Sequence, residues 1–284
     1  QTIYDTIRFY TMSVAEYLEE YFETDVIKAA LSGSGIIGTG LGPYSPGTAY
    51  VLLHHYMGEV DGSIGSWGYA RGGMGAISNA LAGAFQDHDG EIKKESEVSQ
   101  IIVKNGRAKG VVLANGDEYY AKNVVSNLDV KRTYQKLFDP KDLSKKILKQ
   151  VDNFKIRGSS GKLNIALDGL PEFPAMGEKN PLIYADMHFI DSLERMERAF
   201  DDWKNGRWSR DPYTDVLLPT MTDPTMSPPG KHYMSVFVQY APAKLSTGAW
   251  TDKDRDAFGS TVIDKIAEYS PNFKDLIVHA EVRS

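Results

Sequence analysis

The chain has 284 residues, 42% of them hydrophobic and 25% charged, with a net charge of −6 and a pI near 5.6. That composition supports a sizeable globular core, and its acidic balance offers no basic field for nucleic acid. There is no cysteine, which excludes disulfides, thiolate metal sites and a redox dithiol and fits an intracellular setting. No apolar run reaches the roughly 18–20 residues of a membrane span.

Ser13 and Glu16 have the spacing of a capping box, which opens a helix over Ser13–Phe22. Met12, Ala15, Leu18 and Tyr21 or Phe22 form its apolar face, which reads as core packing or as the lining of an apolar channel. Asp25–Ser32 is a second helix. Residues 33–48 are a Gly-rich loop punctuated by Pro43 and Pro46. Within it, Gly33–Gly38 reads GSGIIG and matches the six-residue dinucleotide pattern. It follows a helix instead of a strand, and no acidic residue ends a strand about twenty positions later. It therefore reads as a flexible connection. Gly47–Gly58 is a helix carrying His54 and His55. Adjacent histidines point in different directions, and no His-x-x-x-His spacing exists, so no metal site is expected. Either imidazole is a candidate proton-handling group, set against an ordinary half-buried histidine.

Ser66–Asp129 organises the chain. Gly72, Gly73 and Gly75 open a helix in which Met74, Ile77, Leu81, Ala84 and Phe85 share one apolar face. His88-Asp89-Gly90 ends it, with Gly90 suited to a left-handed cap. Val98–Lys104 is a strand, Asn105-Gly106 a type I′ turn, Ala108–Leu113 the returning strand, Asn115-Gly116 a second turn and Asp117–Tyr120 a third strand. Lys122–Ser126 is a further short strand. Helix followed by parallel strand implies half of a doubly wound α/β domain with an inserted β-meander.

Thr133–Phe138 and Pro140–Phe154 are helices. Ser159–Leu167 alternates, with Leu163, Ile165 and Leu167 inward and Lys162, Asn164 and Ala166 outward, as a half-buried strand does. Residues 168–180 are a Pro/Gly loop, Pro181–Ala185 a short strand, and Ile190–Gly206 a helix with Glu194 and Arg198 paired on a solvated face. Tyr213–Pro219 and His232–Tyr240 are strands joined by a turn-rich connection. Asp252–Tyr269 is a helix, and Leu276–Val282 begins another strand.

The stretch GGMGAISNAL, the later EVSQI and the run KGVVLANGDEYYAKNVVSN resemble the flavin-dependent phytoene desaturase and carotenoid oxidoreductase family. GPYSPGTAYVLLHHYMGEVDG upstream is similar to its branch named for a pyridine nucleotide-disulphide oxidoreductase domain. With no cysteine, this chain cannot itself do the chemistry in that branch's name. The resemblance implies a mixed α/β fold in three parts. Residues 1–65 would be the helical part of a substrate domain, 66–130 a partial FAD-binding, Rossmann-like domain, and 131–284 an antiparallel-sheet and helix substrate domain. It implies FAD as cofactor in a longer parent chain. The family's glycine motif would precede Gln1 and a second flavin segment would follow Ser284, so the chain is expected to be a piece lacking both. Val98 corresponds to the position that binds adenine through its backbone. Trp67, Gly72 and Gly73 lie in the loop that runs in beside the flavin and substrate, where glycines permit close approach to a planar ring. Arg71 stands where a small or proline-like residue is expected and could meet a polar or anionic group.

Two functions of different classes follow. One is a fragment of an FAD-dependent oxidoreductase that oxidises an apolar substrate by hydride transfer to flavin. The other is an apolar-ligand or protein-binding module without cofactor. An amine oxidase shares the flavin architecture and stands behind both. No G-x-S-x-G elbow or P-loop is present, and a flavoenzyme needs few catalytic side chains because the cofactor carries the chemistry. Helix faces left bare by a missing half would favour a homodimer. Peripheral membrane contact and a cytoplasmic location, or the mitochondrial matrix in a eukaryote, complete the expectations.

Overall fold

The computed structural model describes residues 2–177 and 186–284; the expected strand Pro181–Ala185 lies outside them. By internal contacts the chain forms two units, residues 1–77 with 157–284 and residues 78–156.

The first unit opens with four helices. Helix α1 spans Thr2–Thr11. Helix α2 (Val14–Glu19) starts at the capping box, where the Glu16 backbone N–H donates to Ser13 Oγ at 3.1 Å and the Ser13 N–H to Glu16 Oε2 at 2.8 Å. These bonds hold the Glu16 carboxyl below its ordinary range. Helix α3 (Asp25–Ile36) continues four residues past the expected end, through Gly33, Ser34 and Gly35. The glycines are there for packing. A Cβ on Gly33 would sit 2.3 Å from the Tyr213 hydroxyl, and one on Gly35 2.9 Å from Val14. The first four residues of the segment read as a flexible connection, Gly33–Ile36, are thus helix at a close crossing, while Ile37 and Gly38 lie beyond the helix end. Helix α4 (Thr48–Tyr56) carries both histidines. Val14, Leu18 and Leu52 make a small core among these helices.

A hairpin of β1 (Glu59–Val60) and β2 (Ser63–Ile64) leads to helix α5 (Met74–Asp87). The apolar stripe of α5 is present, yet Met74, Leu81 and Phe85 are exposed and no residue of the helix is buried. The left-handed residue at its end is Asp89 (φ 61°), not Gly90. Gly90 is required because a Cβ there would meet the Phe85 ring at 2.4 Å.

In the second unit β3 (Val98–Lys104), β4 (Arg107–Leu113) and β5 (Glu118–Tyr120) form the expected antiparallel meander. Asn105 and Gly106 have φ of 52° and 71°, as a type I′ turn requires. Lys122–Ser126 is not a strand; Val125 is 91% exposed, and no neighbouring strand is there to pair with it among the described residues. The parallel pair implied by helix-then-strand order is likewise not made among them, since every described pairing is antiparallel. Arg132–Leu137 is a π-helical turn and Pro140–Asp142 a 3₁₀ turn. Helix α6 (Lys145–Asn153) is capped by Ser144.

The rest of the first unit is built on a five-stranded antiparallel sheet. Its elements are β6 (Ser160–Leu167), β7 (Met187–His188), α7 (Leu193–Lys204), β8 (Tyr213–Leu217), β9 (His232–Gln239), α8 (Asp252–Ala267) and β10 (Ile277–Arg283). The strand order is β10-β6-β9-β8-β7. One face is apolar: Leu163, Ile165, Met234, Val236, Val238 and Val216 pack against Phe258, Val262 and Ile266 of α8. The opposite face is covered by α3 at one end, where Ala29 and Ile36 pack with Tyr213 and Tyr240 and the Gln239 side-chain amide donates to the Ile36 carbonyl at 3.1 Å. The mixed α/β class and the antiparallel sheet are as the sequence implies.

Candidate functional site

Beyond α3 the sheet face is open and floors a cavity of about 820 Å³. Alternation puts Lys162 and Asn164 of β6, Tyr233 and Ser235 of β9 and Leu217 of β8 on that floor. The Tyr233 hydroxyl donates to Asn164 Oδ1 at 2.6 Å, and Asn164 Nδ2 donates to Glu281 Oε2 at 3.0 Å, so the polar floor is fixed. Lys162 has no hydrogen-bond or ion-pair partner among the described residues.

The walls come from two loops. Tyr69, Ala70, Arg71, Gly73 and Met74 form one; Pro219 and residues 222–226 form the other. They are tied together at Asp223. The Gly72 N–H donates to Asp223 Oδ2 at 2.6 Å, and Thr225 donates to Oδ1 through its N–H at 3.1 Å and its hydroxyl at 2.6 Å. The Gly72 bond, followed by the Thr225 hydroxyl, holds the Asp223 carboxyl below its ordinary range. Gly72 and Gly73 have φ of +83° and +79°, a conformation other residues adopt only with strain. Met226 would lie 3.1 Å from a Cβ on Gly73.

Of the residues singled out in the sequence, Arg71 and Gly73 line this cavity and Gly72 anchors its wall. Trp67 is not in the lining. It is 61% exposed and stacks on His55, with centroids 5.9 Å apart at 10°. His55 Nδ1 is paired with the Val51 carbonyl at 2.9 Å, and His54 is exposed, its ring 5.8 Å from that of His55. Val98 belongs to the second unit, half-buried at the start of β3 opposite Leu113.

Sequence reading missed Lys162, Tyr69 and Asp223, and a second group at the sheet edge. His188 and Asp215 are cross-strand partners on β7 and β8. With Asp186 they bring side-chain polar atoms within 4.8 Å of one another. Burial, reinforced by Asp186, pushes the Asp215 carboxyl up to about 7, and burial pulls the His188 imidazole down. The Tyr69 hydroxyl reaches Asp186 Oδ1 at 3.4 Å, and burial pushes that phenol up to about 12. The available signal was an acidic residue in the middle of an apolar strand, which an outward-facing role alone does not explain.

The antiparallel sheet that floors this cavity occurs in a fold already known. The fold is similar to that of an oxidoreductase from Methanosarcina mazei, with a TM-score of 0.60 and 19% identity over 95% of this chain and 56% of that one. Residues 12–279 match the family described as flavin containing amine oxidoreductase; the chain belongs to that family. It is similar to pyridine nucleotide-disulfide oxidoreductase domain-containing protein 2 of Mus musculus, 32% identical over 283 residues, which are 96% of this chain and 48% of that protein. It is also similar to a chloroplastic prolycopene isomerase of Daucus carota, 35% identical over 193 residues, 66% of this chain and 28% of that protein. The chain thus spans about half, or less, of the length of these relatives.

Flavin is the family's cofactor. The described residues do not supply a pyrophosphate cradle for it. The only GxGxxG match begins inside α3, with Gly33 and Gly35 closed off by Tyr213 and Val14. Just before α5, the Gly72 N–H is already held by Asp223.

Proposed function

We propose that this chain is the substrate-facing part of an FAD-dependent oxidoreductase that oxidises an apolar substrate by hydride transfer to flavin, the pyrophosphate site being supplied from outside these 284 residues. The observation that carries the reading is the cavity on the open sheet face, walled by the two-glycine loop. Met74, Leu217 and Met226 offer it apolar surface, Tyr233 and Asn164 are paired on its floor, and Arg71, Lys162 and the bonded carboxylate Asp223 are its charged features. Cations facing the cavity stabilise negative charge that develops there, which suits the electron-accepting side of such a reaction. An intracellular location goes with this reading.

The test is binding of a conjugated polyene to the chain, followed by the shift of its absorbance. Ser235→Trp, which fills the cavity from its floor, should abolish the shift while leaving the circular dichroism unchanged. An undiminished shift in that variant would remove the cavity from the account.

A second reading, an apolar-ligand or protein-binding module, is favoured by a separate groove of about 560 Å³ among α1 to α4, lined by Phe9, Leu18, Phe22, Leu31 and Leu52 with flanking tyrosines. A polyene shift that survives Ser235→Trp and is lost in Leu52→Trp would support it. Homodimerisation through the bare stripe of α5, and peripheral membrane contact near Tyr17 and Tyr21, belong to this reading as proposals.

A further inference from the structure

The Asp186, His188 and Asp215 group is not used by the cavity floor, and it carries more negative charge than its surroundings can balance. The charged and titratable groups facing it are few. From β8 come Asp215 and Tyr213, from β7 His188, and from the residue before β7 Asp186. From the wall loop comes Tyr69, and Tyr56 of α4 and Tyr240 just after β9 act on Tyr213. Helix α3 offers only a backbone group, that of Ala30, to the His188 ring. No lysine or arginine among the described residues acts on Asp215.

Asp215 Oδ1 is itself buried without a hydrogen-bond partner among the described residues, and so is the hydroxyl of Tyr213, a residue with no exposed surface. An ionised carboxylate with a bare buried oxygen beside a second carboxylate is costly, and taking up a proton removes the cost. The neutral imidazole favoured by burial cannot supply that balancing charge.

We propose that Asp215 takes up and releases a proton around neutral pH and that, through Asp186 and Tyr69, it is the proton store of the cavity. Tyr69 is the link because it belongs to both places: its ring lines the cavity, and its hydroxyl reaches Asp186. Transfer leaves the phenol unchanged. Its oxygen accepts a proton from a donor in the cavity as its own O–H proton passes to Asp186 Oδ1, and the carboxylate pair holds the proton between Asp186 and Asp215. The high value of the Tyr69 phenol keeps it a hydroxyl between transfers, and the Asp215 value of about 7 is that of a group that gives and takes protons at working pH. The assignment is independent of what the cavity binds and of whether flavin is present.

The test is infrared spectroscopy of the 284-residue chain across pH 5 to 9, reading the band of a protonated carboxyl. The wild type should show a band that disappears with a midpoint near 7, and Asp215→Asn should lack it. Asp186→Asn should lower the midpoint by removing the like charge. Tyr69→Phe should raise it, because the hydroxyl bond favours the ionised form of the pair. A spectrum with no such band, or a band that persists in Asp215→Asn, overturns the proton store. An unmoved midpoint in Tyr69→Phe overturns the link to the cavity. Calorimetry with Zn²⁺ at pH 7 closes the remaining route: stoichiometric binding lost in Asp215→Asn would mean that a cation, not a proton, balances the pair.

Discussion

The two faces of the five-stranded sheet are made by alternate residues of the same strands, yet they do different work. On one face Leu163, Ile165, Val236 and Val238 are fully buried under α8. On the other, Lys162, Asn164, Tyr233 and Ser235 meet a cavity, and the bonds among Tyr233, Asn164 and Glu281 hold position without closing it. The difference teaches that strand alternation separates stability from chemistry: one parity carries the core, and the other is free to carry a site.

The sharpest way to break that comparison is to truncate each face in turn. Phe258→Ala, on the core side, should cost about 3–5 kcal/mol in denaturant unfolding. Lys162→Met, on the cavity side, should stay within about 0.5 kcal/mol while altering ligand binding. Equal losses would erase the distinction. Next in size is Gly33→Ala, where a methyl group aimed at the Tyr213 ring should cost about 1–3 kcal/mol by overpacking. An unchanged melting curve would mean that the α3 crossing is loose.

The third prediction concerns pH. The Asp215 carboxyl is raised in the folded state to about 7, against about 4 when unfolded. Between those values the folded chain holds a proton that the unfolded chain has lost. Its stabilising contribution is therefore complete below about pH 4 and is lost as pH rises through about 7. Asp215→Asn should remove that dependence, so that the variant gains on the wild type as the buffer is taken from pH 5 to pH 8. Parallel stability curves for the two proteins would contradict it. The smallest effect on stability is expected at Leu81→Glu. This exposed position on α5 should change unfolding by less than about 0.5 kcal/mol while reducing self-association in sedimentation velocity.

Much of this fold was legible before any coordinates. The Ser13–Glu16 capping box, the Asn105-Gly106 turn and the alternation of β6 and β9 are local signals, and each appears as read. What failed were signals with two physical causes. Glycines at 33 and 35 suit a loop, but they suit a close helix crossing equally, and only the partners Tyr213 and Val14 decide between them. Val124 and Val125 suit a strand, but a strand needs a neighbour to pair with. The site was half legible. Arg71, Gly72 and Gly73 share a motif and were found together. Lys162 was placed on the outward face without a reason to notice it, and the Asp186–His188–Asp215 group depends on a cross-strand register between segments more than twenty residues apart.

The most direct test of the central claim, a substrate-side cavity without a nucleotide cradle of its own, is the visible spectrum of the purified 284-residue chain after incubation with FAD and gel filtration. The account predicts a colourless protein peak with all flavin in the small-molecule fractions. An oxidised-flavin band that travels with the protein would contradict it, and would mean that these residues build a cofactor site in a way the helix-bound Gly33 and Gly35 do not suggest.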